Sequence, residues 1–153
     1  MLIRPCQDPD LPAMARLFRA SALEFIVHES PREGACTFLR ENDEAGLRGF
    51  TRSGQHVYHV AVDGGELAGF IAIRNNDHLD HLFVDRRWHR QGLARRLWDV
   101  ARVEALARGG PGSFTVNASS FAVPVYEALG FRRTAPLQCV KGMKVNPMRF
   151  TPA

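Results

Sequence analysis

Between His56 and Val84 the chain carries three strand patterns in succession, joined by turns too short to hold a helix. The first, His56 to Val62, is dense in β-branched and aromatic residues, which suit a pleated, half-buried surface. Asp63-Gly64-Gly65 then supplies residues that take positive φ at little steric cost, a hairpin signal. Glu66 to Arg74 is the partner strand, Asn75-Asn76-Asp77 turns the chain again, and Leu79 to Val84 makes a third strand. Connections this short force antiparallel pairing, so the middle of the chain is committed to a meander.

The flanks alternate with it. Leu2-Ile3-Arg4-Pro5 reads as a short strand, and Asp8 or Asp10 can cap a helix whose Leu11, Met14, Leu17 and Phe18 share one face. Ser30 to Phe50, with Phe38, Leu39 and Leu47 as its apolar points, reads as one or two helices. Gly92 to Arg108 places Leu93, Leu97, Val100 and Ala101 at helical spacing and stops at Gly109-Gly110-Pro111-Gly112. Ser113 to Val116 is again a strand, Phe121 to Leu129 a short helix closed by Gly130, and Phe131-Arg132 and Gln138 to Val145 read as terminal strands. The expected fold is α/β: one domain over 1–153, with a mixed, mostly antiparallel central sheet flanked by helices on both faces.

Several classes are set aside by composition. No window approaches the roughly 18 apolar residues of a membrane span, and the N-terminus lacks a basic region followed by an apolar one, so the expectation is a cytoplasmic protein with no membrane partner. Cys6, Cys36 and Cys139 are scattered and odd in number, which argues for reduced, mostly buried thiols and against a disulfide framework or zinc site. His56 and His59, like His78 and His81, should lie on opposite strand faces, so no metal is expected. The net charge of +4 concentrates between Asp85 and Arg108, where seven arginines face Asp85, Asp99 and Glu104. Such a cluster suits a solvated helix, a phosphate site or a nucleic-acid surface, although no nucleic-acid recognition motif accompanies it.

Val84 to Ala94 joins a strand, a loop and a helix whose first turn has small side chains or none. Unpaired N–H groups and the helix dipole make such a turn an anion site, and Gly92 removes the side chain that would block a pyrophosphate. Arg90 and Arg95 can add charge. The segment His89-Arg90-Gln91-Gly92-Leu93-Ala94 resembles the Gln/Arg-x-x-Gly-x-Gly/Ala acetyl-CoA motif of the GCN5-related N-acetyltransferase (GNAT) family, with His89 where the family usually has Gln or Arg. Val116-Asn117-Ala118-Ser119 followed by Val125-Tyr126-Glu127-Ala128-Leu129-Gly130-Phe131 resembles its closing strand and Tyr-Glu-x-Leu-Gly-Phe helix. The Ile3-Arg4-Pro5 start and the Gly64 to Phe70 hairpin extend the resemblance, whereas Ser30 to Phe50 is unmatched in detail.

The resemblance implies an acyltransferase that moves an acetyl group from acetyl-CoA directly to a primary amine of a small molecule or peptide. It implies that Leu82, Phe83 and Val84 pair with the pantetheine arm on a splayed strand freed by a bulge, and that His89, Arg90, Gln91, Gly92, Leu93, Ala94 and Arg95 hold the pyrophosphate. Asn117, Ser119 and Ser120 would reach pantetheine or water, or cap the following helix. Tyr126 would protonate the leaving thiolate. For the base, Asp80, His81 and water stay open, with Asp80 favoured as a carboxylate that attracts an ammonium. A weak or inactive acyl-CoA-binding sensor of the same fold is the alternative, and a basic nucleic-acid-binding module a further one. Pairing through Gln138 to Val145 offers a route to a homodimer.

Overall fold

A computed structural model describes residues 1–152. The meander is present as β2 (His56–Asp63), β3 (Glu66–Arg74) and β4 (His78–Val84), with β1 (Leu2–Pro5) on the outer edge of β2. β5 (Phe114–Ala118) follows β4 in parallel, and β8 (Met143–Phe150) pairs antiparallel with β5, β6 (Arg132–Arg133) and β7 (Gln138–Val140). Strand order is β1-β2-β3-β4-β5-β8-β6.

Helices α1 (Leu11–Phe25), α2 (Arg32–Glu41) and α3 (Glu44–Arg52) precede the meander. α1 and α3 pack on one face of the sheet, burying Leu11, Met14, Phe18 and Leu47 against Tyr58, Val60 and Phe70. α4 (Leu93–Ala107) and α5 (Val123–Leu129) cover the other, where Trp98 meets Phe114 edge-on at 4.9 Å and Phe131 at 5.1 Å. Full burial of such an aromatic stabilises the fold by about 1.5–3 kcal/mol. No helix among the described residues is long and apolar enough to cross a membrane.

Local details depart from the sequence reading. Asp10 begins α1 without capping it, because its carboxylate accepts from Arg4 at 2.8 and 2.9 Å and from the Gln7 N–H at 2.7 Å. Ser30 to Phe50 resolves into two helices, the second capped by Asp43 accepting from the Gly46 N–H at 2.9 Å. Val100 lies on the solvent side of α4, and Trp98 takes the core position instead. Cys36 and Cys139 are exposed rather than buried, and burial pushes the half-buried Cys6 thiol up to about 11.

The largest difference is the position of the bulge. Ala72 of β3 faces His81 and Ile73 faces Leu79, so Asp80 is the extra residue of β4, upstream of the expected Leu82 to Val84. The bulge turns Asp80 and His81 to the same face, because Asp80 meets His56 and His81 meets Tyr58, and His56 and Tyr58 are two apart on β2. His78 shares that face, contrary to the alternation expected for His78 and His81. His56 and His59 do diverge, since His59 turns to Glu104 on α4. Among the described residues no three His, Cys, Asp or Glu side chains converge as a metal site.

Candidate active site

β4 and β5 touch only at His78 opposite Thr115 and Leu79 opposite Val116, then splay. The Asp85 N–H donates to Ala68 O at 2.8 Å, which sets the alternation beyond the bulge. Phe83 exchanges backbone bonds with Phe70, while the N–H and C=O groups of Leu82 and Val84 point away from β3 into the splay. A cleft of about 590 Å³ opens there, between α1, the β4–α4 loop and α5.

One end of the cleft is the strand-to-helix turn. Arg90 has φ 61° and Gly92 φ 77°, and alternation of left- and right-handed residues curls backbone N–H groups into a concave, anion-binding surface. A side chain at Gly92 would meet no atom within 4 Å, so the glycine answers its backbone angle and leaves the space beside the turn open. Gly92 O accepts from the Arg96 N–H at 3.1 Å, opening α4, whose first-turn N–H groups have no intrahelical partner. Gly92, Leu93, Ala94 and Arg90 all line the cleft.

The departure at His89 acquires a structural role. Its Nε2–H donates to the Val84 carbonyl at 2.7 Å, tying the loop back to the end of β4 and leaving the Val84 N–H and both backbone groups of Leu82 free. Gln91 turns away, donating to Arg87 O at 3.1 Å, so only its backbone serves the turn. Arg95 lines the cleft and reaches across to the Ala128 carbonyl at 2.6 Å, linking α4 to α5. Arg86, Arg87, Arg102 and Arg108 are paired with Glu24, Glu66, Asp99 and Glu104. Of the cluster, Arg90, Arg95 and Arg96 have no ion-pair partner among the described residues, and Arg90 and Arg95 both line the cleft.

α5 supplies the far wall. Gly130, at φ 105°, ends it, and Phe131 donates its N–H to Tyr126 O at 3.0 Å before burying its ring completely. The packed turn fixes Tyr126, whose ring lies edge-on to Phe131 at 5.5 Å and whose side chain lines the cleft. Its hydroxyl has no hydrogen-bond partner among the described residues. Burial, helped by the charge of Asp80, pushes its phenol well above the ordinary range, so it stays protonated.

Ser119 also lines the cleft, with Oγ accepting from the Ala122 N–H at 3.3 Å as a cap to the approach of α5. Asn117 and Ser120 do not line it. Asn117 alternates away from the buried Val116 and Ala118, and Ser120 accepts from Asn146 at 3.1 Å while its N–H donates to Glu29 at 2.9 Å. Asp80 lies upstream on β4, outside the cleft lining. Its Oδ2 accepts from His56 Nε2–H at 2.9 Å. Burial alone would raise its pKa, but the His56 bond and nearby cationic side chains hold it well below the usual carboxylate range. Beside it, burial pushes His81 down to about 4, so this imidazole is neutral at pH 7.

The sequence reading missed a third wall, Ser21, Phe25 and Ile26 at the end of α1, where Phe25 stacks on Phe121 at 4.0 Å. No local pattern marks those residues, because helix periodicity shows which face is apolar but not which end borders a cleft. It also missed His56 as the partner of Asp80, for which the alternation of His56 with Tyr58 was the available signal.

Comparison with known proteins agrees with this geometry. The family model described as the acetyltransferase (GNAT) domain matches residues 26–152. A GCN5-related N-acetyltransferase from Rhodopseudomonas palustris superposes with a TM-score of 0.79 at 23% identity, over 99% of this chain and 95% of that one. PaiA N-acetyltransferase from Thermoplasma acidophilum, in complex with coenzyme A, gives 0.79 at 17% identity, over 99% and 98%. The aminoglycoside 6'-N-acetyltransferase from Enterococcus faecium gives 0.71 at 15%, over 100% and 99%. No curated protein matches the sequence. With a match over most of its length and the fold to go with it, the chain belongs to the GNAT family of acetyl-CoA-dependent N-acetyltransferases.

Proposed function

We propose that this domain transfers an acetyl group from acetyl-CoA directly to a primary amine. The observation that carries the reading is a single cleft with an open turn of N–H groups at one end and the unpartnered Tyr126 hydroxyl on its wall. The pyrophosphate sits on the Gly92 to Ala94 turn beside Arg90, and the pantetheine amides pair with the free backbone of Leu82 in the splay. Phe83 contributes its side chain alone, because its backbone faces β3. A backbone N–H of the splayed strand polarises the thioester carbonyl.

Asp80 draws the acceptor as its ammonium. A carboxylate held this far below its usual range stays anionic and accepts a proton poorly, so the ammonium proton leaves through water. The amine lone pair then forms the new C–N bond, the C–S bond breaks, the nitrogen gives up its extra proton to water, and the leaving thiolate takes the Tyr126 proton, which solvent restores. An unpartnered, protonated phenol facing the cleft favours an enzyme over a sensor that only binds acyl-CoA.

Thiol release from acetyl-CoA against a panel of kanamycin A, spermidine, free amino acids and an unblocked peptide tests this. Turnover with one class, falling about 100-fold in Tyr126→Phe while acetyl-CoA affinity stays within twofold, is the expected result. Tight CoA binding with no release from any class returns the sensor reading.

A further inference from the structure

The chemistry above uses Asp80 but does not explain what holds it. Asp80 has no partner on β3, because Ala72 pairs with His81 and Ile73 with Leu79. A bulged residue is free to turn, and its side chain is 23% exposed. It is nevertheless fixed by a ring from two strands away. His56 of β2 crosses β3 to donate Nε2–H to Asp80 Oδ2 at 2.9 Å. The His56 ring is 5% exposed, packs on Phe50 of α3 at 4.9 Å between centroids, and has Nδ1 3.3 Å from Ser53 Oγ. The Ser53 hydroxyl donates to Phe50 O at 2.8 Å, so its oxygen is itself anchored.

The crossing depends on small side chains and register. Tyr58, Ala72 and His81 form one row across the sheet, and Ala72 leaves room for the Tyr58 hydroxyl to meet His81 Nδ1 at 3.0 Å. His56, Arg74 and His78 form the next row. The groups around the His56–Asp80 pair are thus Tyr58 on β2, Arg74 on β3, His78 and His81 on β4, and Ser53 after α3, with the Tyr126 phenol of α5 near enough to feel the Asp80 charge. Asp80 Oδ1 has no partner among the described residues.

We propose that His56 is the positioning residue for the amine end of this site: it holds Oδ2 of Asp80 on the bulge and leaves Oδ1 to receive the acceptor ammonium. The proposal rests on the reading of Asp80 given above, and its test separates the two. His56→Gln keeps an amide N–H near the position of Nε2 but does not titrate, whereas His56→Ala removes the bond. Each is compared with wild type and Asp80→Asn in two assays: steady-state thiol release with the best amine of the panel across pH 5–9, and a ¹³C titration of the Asp80 carboxyl.

Expected are a fall in kcat of about 10- to 100-fold in His56→Ala, with KM for acetyl-CoA within twofold, recovery to within about threefold in His56→Gln, and an Asp80 carboxyl that titrates at higher pH in His56→Ala. If Asp80→Asn turns over like wild type, the reading of Asp80 falls and the proposal with it. If Asp80→Asn is crippled while His56→Ala matches wild type in kcat and in the carboxyl titration, the positioning role alone is overturned. A His56→Gln enzyme as slow as His56→Ala also overturns it. Should no amine in the panel be acetylated, an unshifted carboxyl titration in His56→Ala is sufficient to overturn it.

Discussion

The bulge at Asp80 lies within β4 and the turn from Val84 to Arg95 leads out of its end, yet the two are built on opposite plans. The turn is contiguous: Gly92 supplies the backbone angle, His89 ties the loop to Val84 O, and the first turn of α4 supplies the N–H groups. The bulge is assembled from a distance, with His56 24 positions before Asp80 and Tyr58 23 before His81. A contiguous site survives small shifts of the elements around it. An assembled one exists only in one strand register, since a slip of one residue turns every side chain to the other face.

If the turn works through its backbone, the largest effect comes from Gly92→Val. A β-branched residue at φ 77° costs about 1–2 kcal/mol, and its side chain fills the space beside the N–H groups. Together these should weaken acetyl-CoA binding about 100-fold or more by calorimetry, with the Asp80 carboxyl titration unchanged. Retained affinity would break the distinction between the two regions.

The bulge is sharpened by pH. The folded protein keeps His81 neutral down to about pH 4, whereas the unfolded chain takes up the proton near 6.5. His81 therefore contributes stability that is complete above about pH 6.5 and is lost as pH falls towards 4, on the order of 3 kcal/mol. Urea unfolding at pH 7 and pH 4 should show that loss in wild type and a correspondingly smaller loss in His81→Asn. Equal losses would place His81 outside the buried row.

Smaller effects test the side chains of the turn. Arg90→Ala removes one of the two cations on the cleft that have no ion pair and should weaken acetyl-CoA about 10-fold, less at high salt, without altering kcat at saturation. His89→Gln restores the residue type usual in the family and can remake the bond to Val84 O, so affinity should change by less than about threefold. A larger loss would mean that the imidazole does more than tie the loop.

The turn was legible from the sequence because its parts are neighbours: a strand pattern, then His89 to Ala94, then helical spacing. The Tyr126 to Phe131 block was legible for the same reason, with Gly130 ending the helix and Phe131 burying behind it. Side-chain partners were harder to read than the elements: the Asp10 carboxylate takes Arg4 instead of capping α1, the Arg95 guanidinium also bonds the Ala128 carbonyl, and Ser120 bonds Asn146 and Glu29.

Hydrophobic period and turn residues by themselves determined the meander, the long helix after Gly92 and the open N–H turn between them, because these follow from backbone angles and side-chain alternation over a few residues. Only the tertiary structure decided where β4 bulges, which face Asp80 and His81 share, that His56 reaches Asp80 across Ala72 and Arg74, and that the end of α1 closes the cleft. Those features depend on inter-strand register and helix docking, which are set by the packing of the whole core and leave no trace in any short window of sequence.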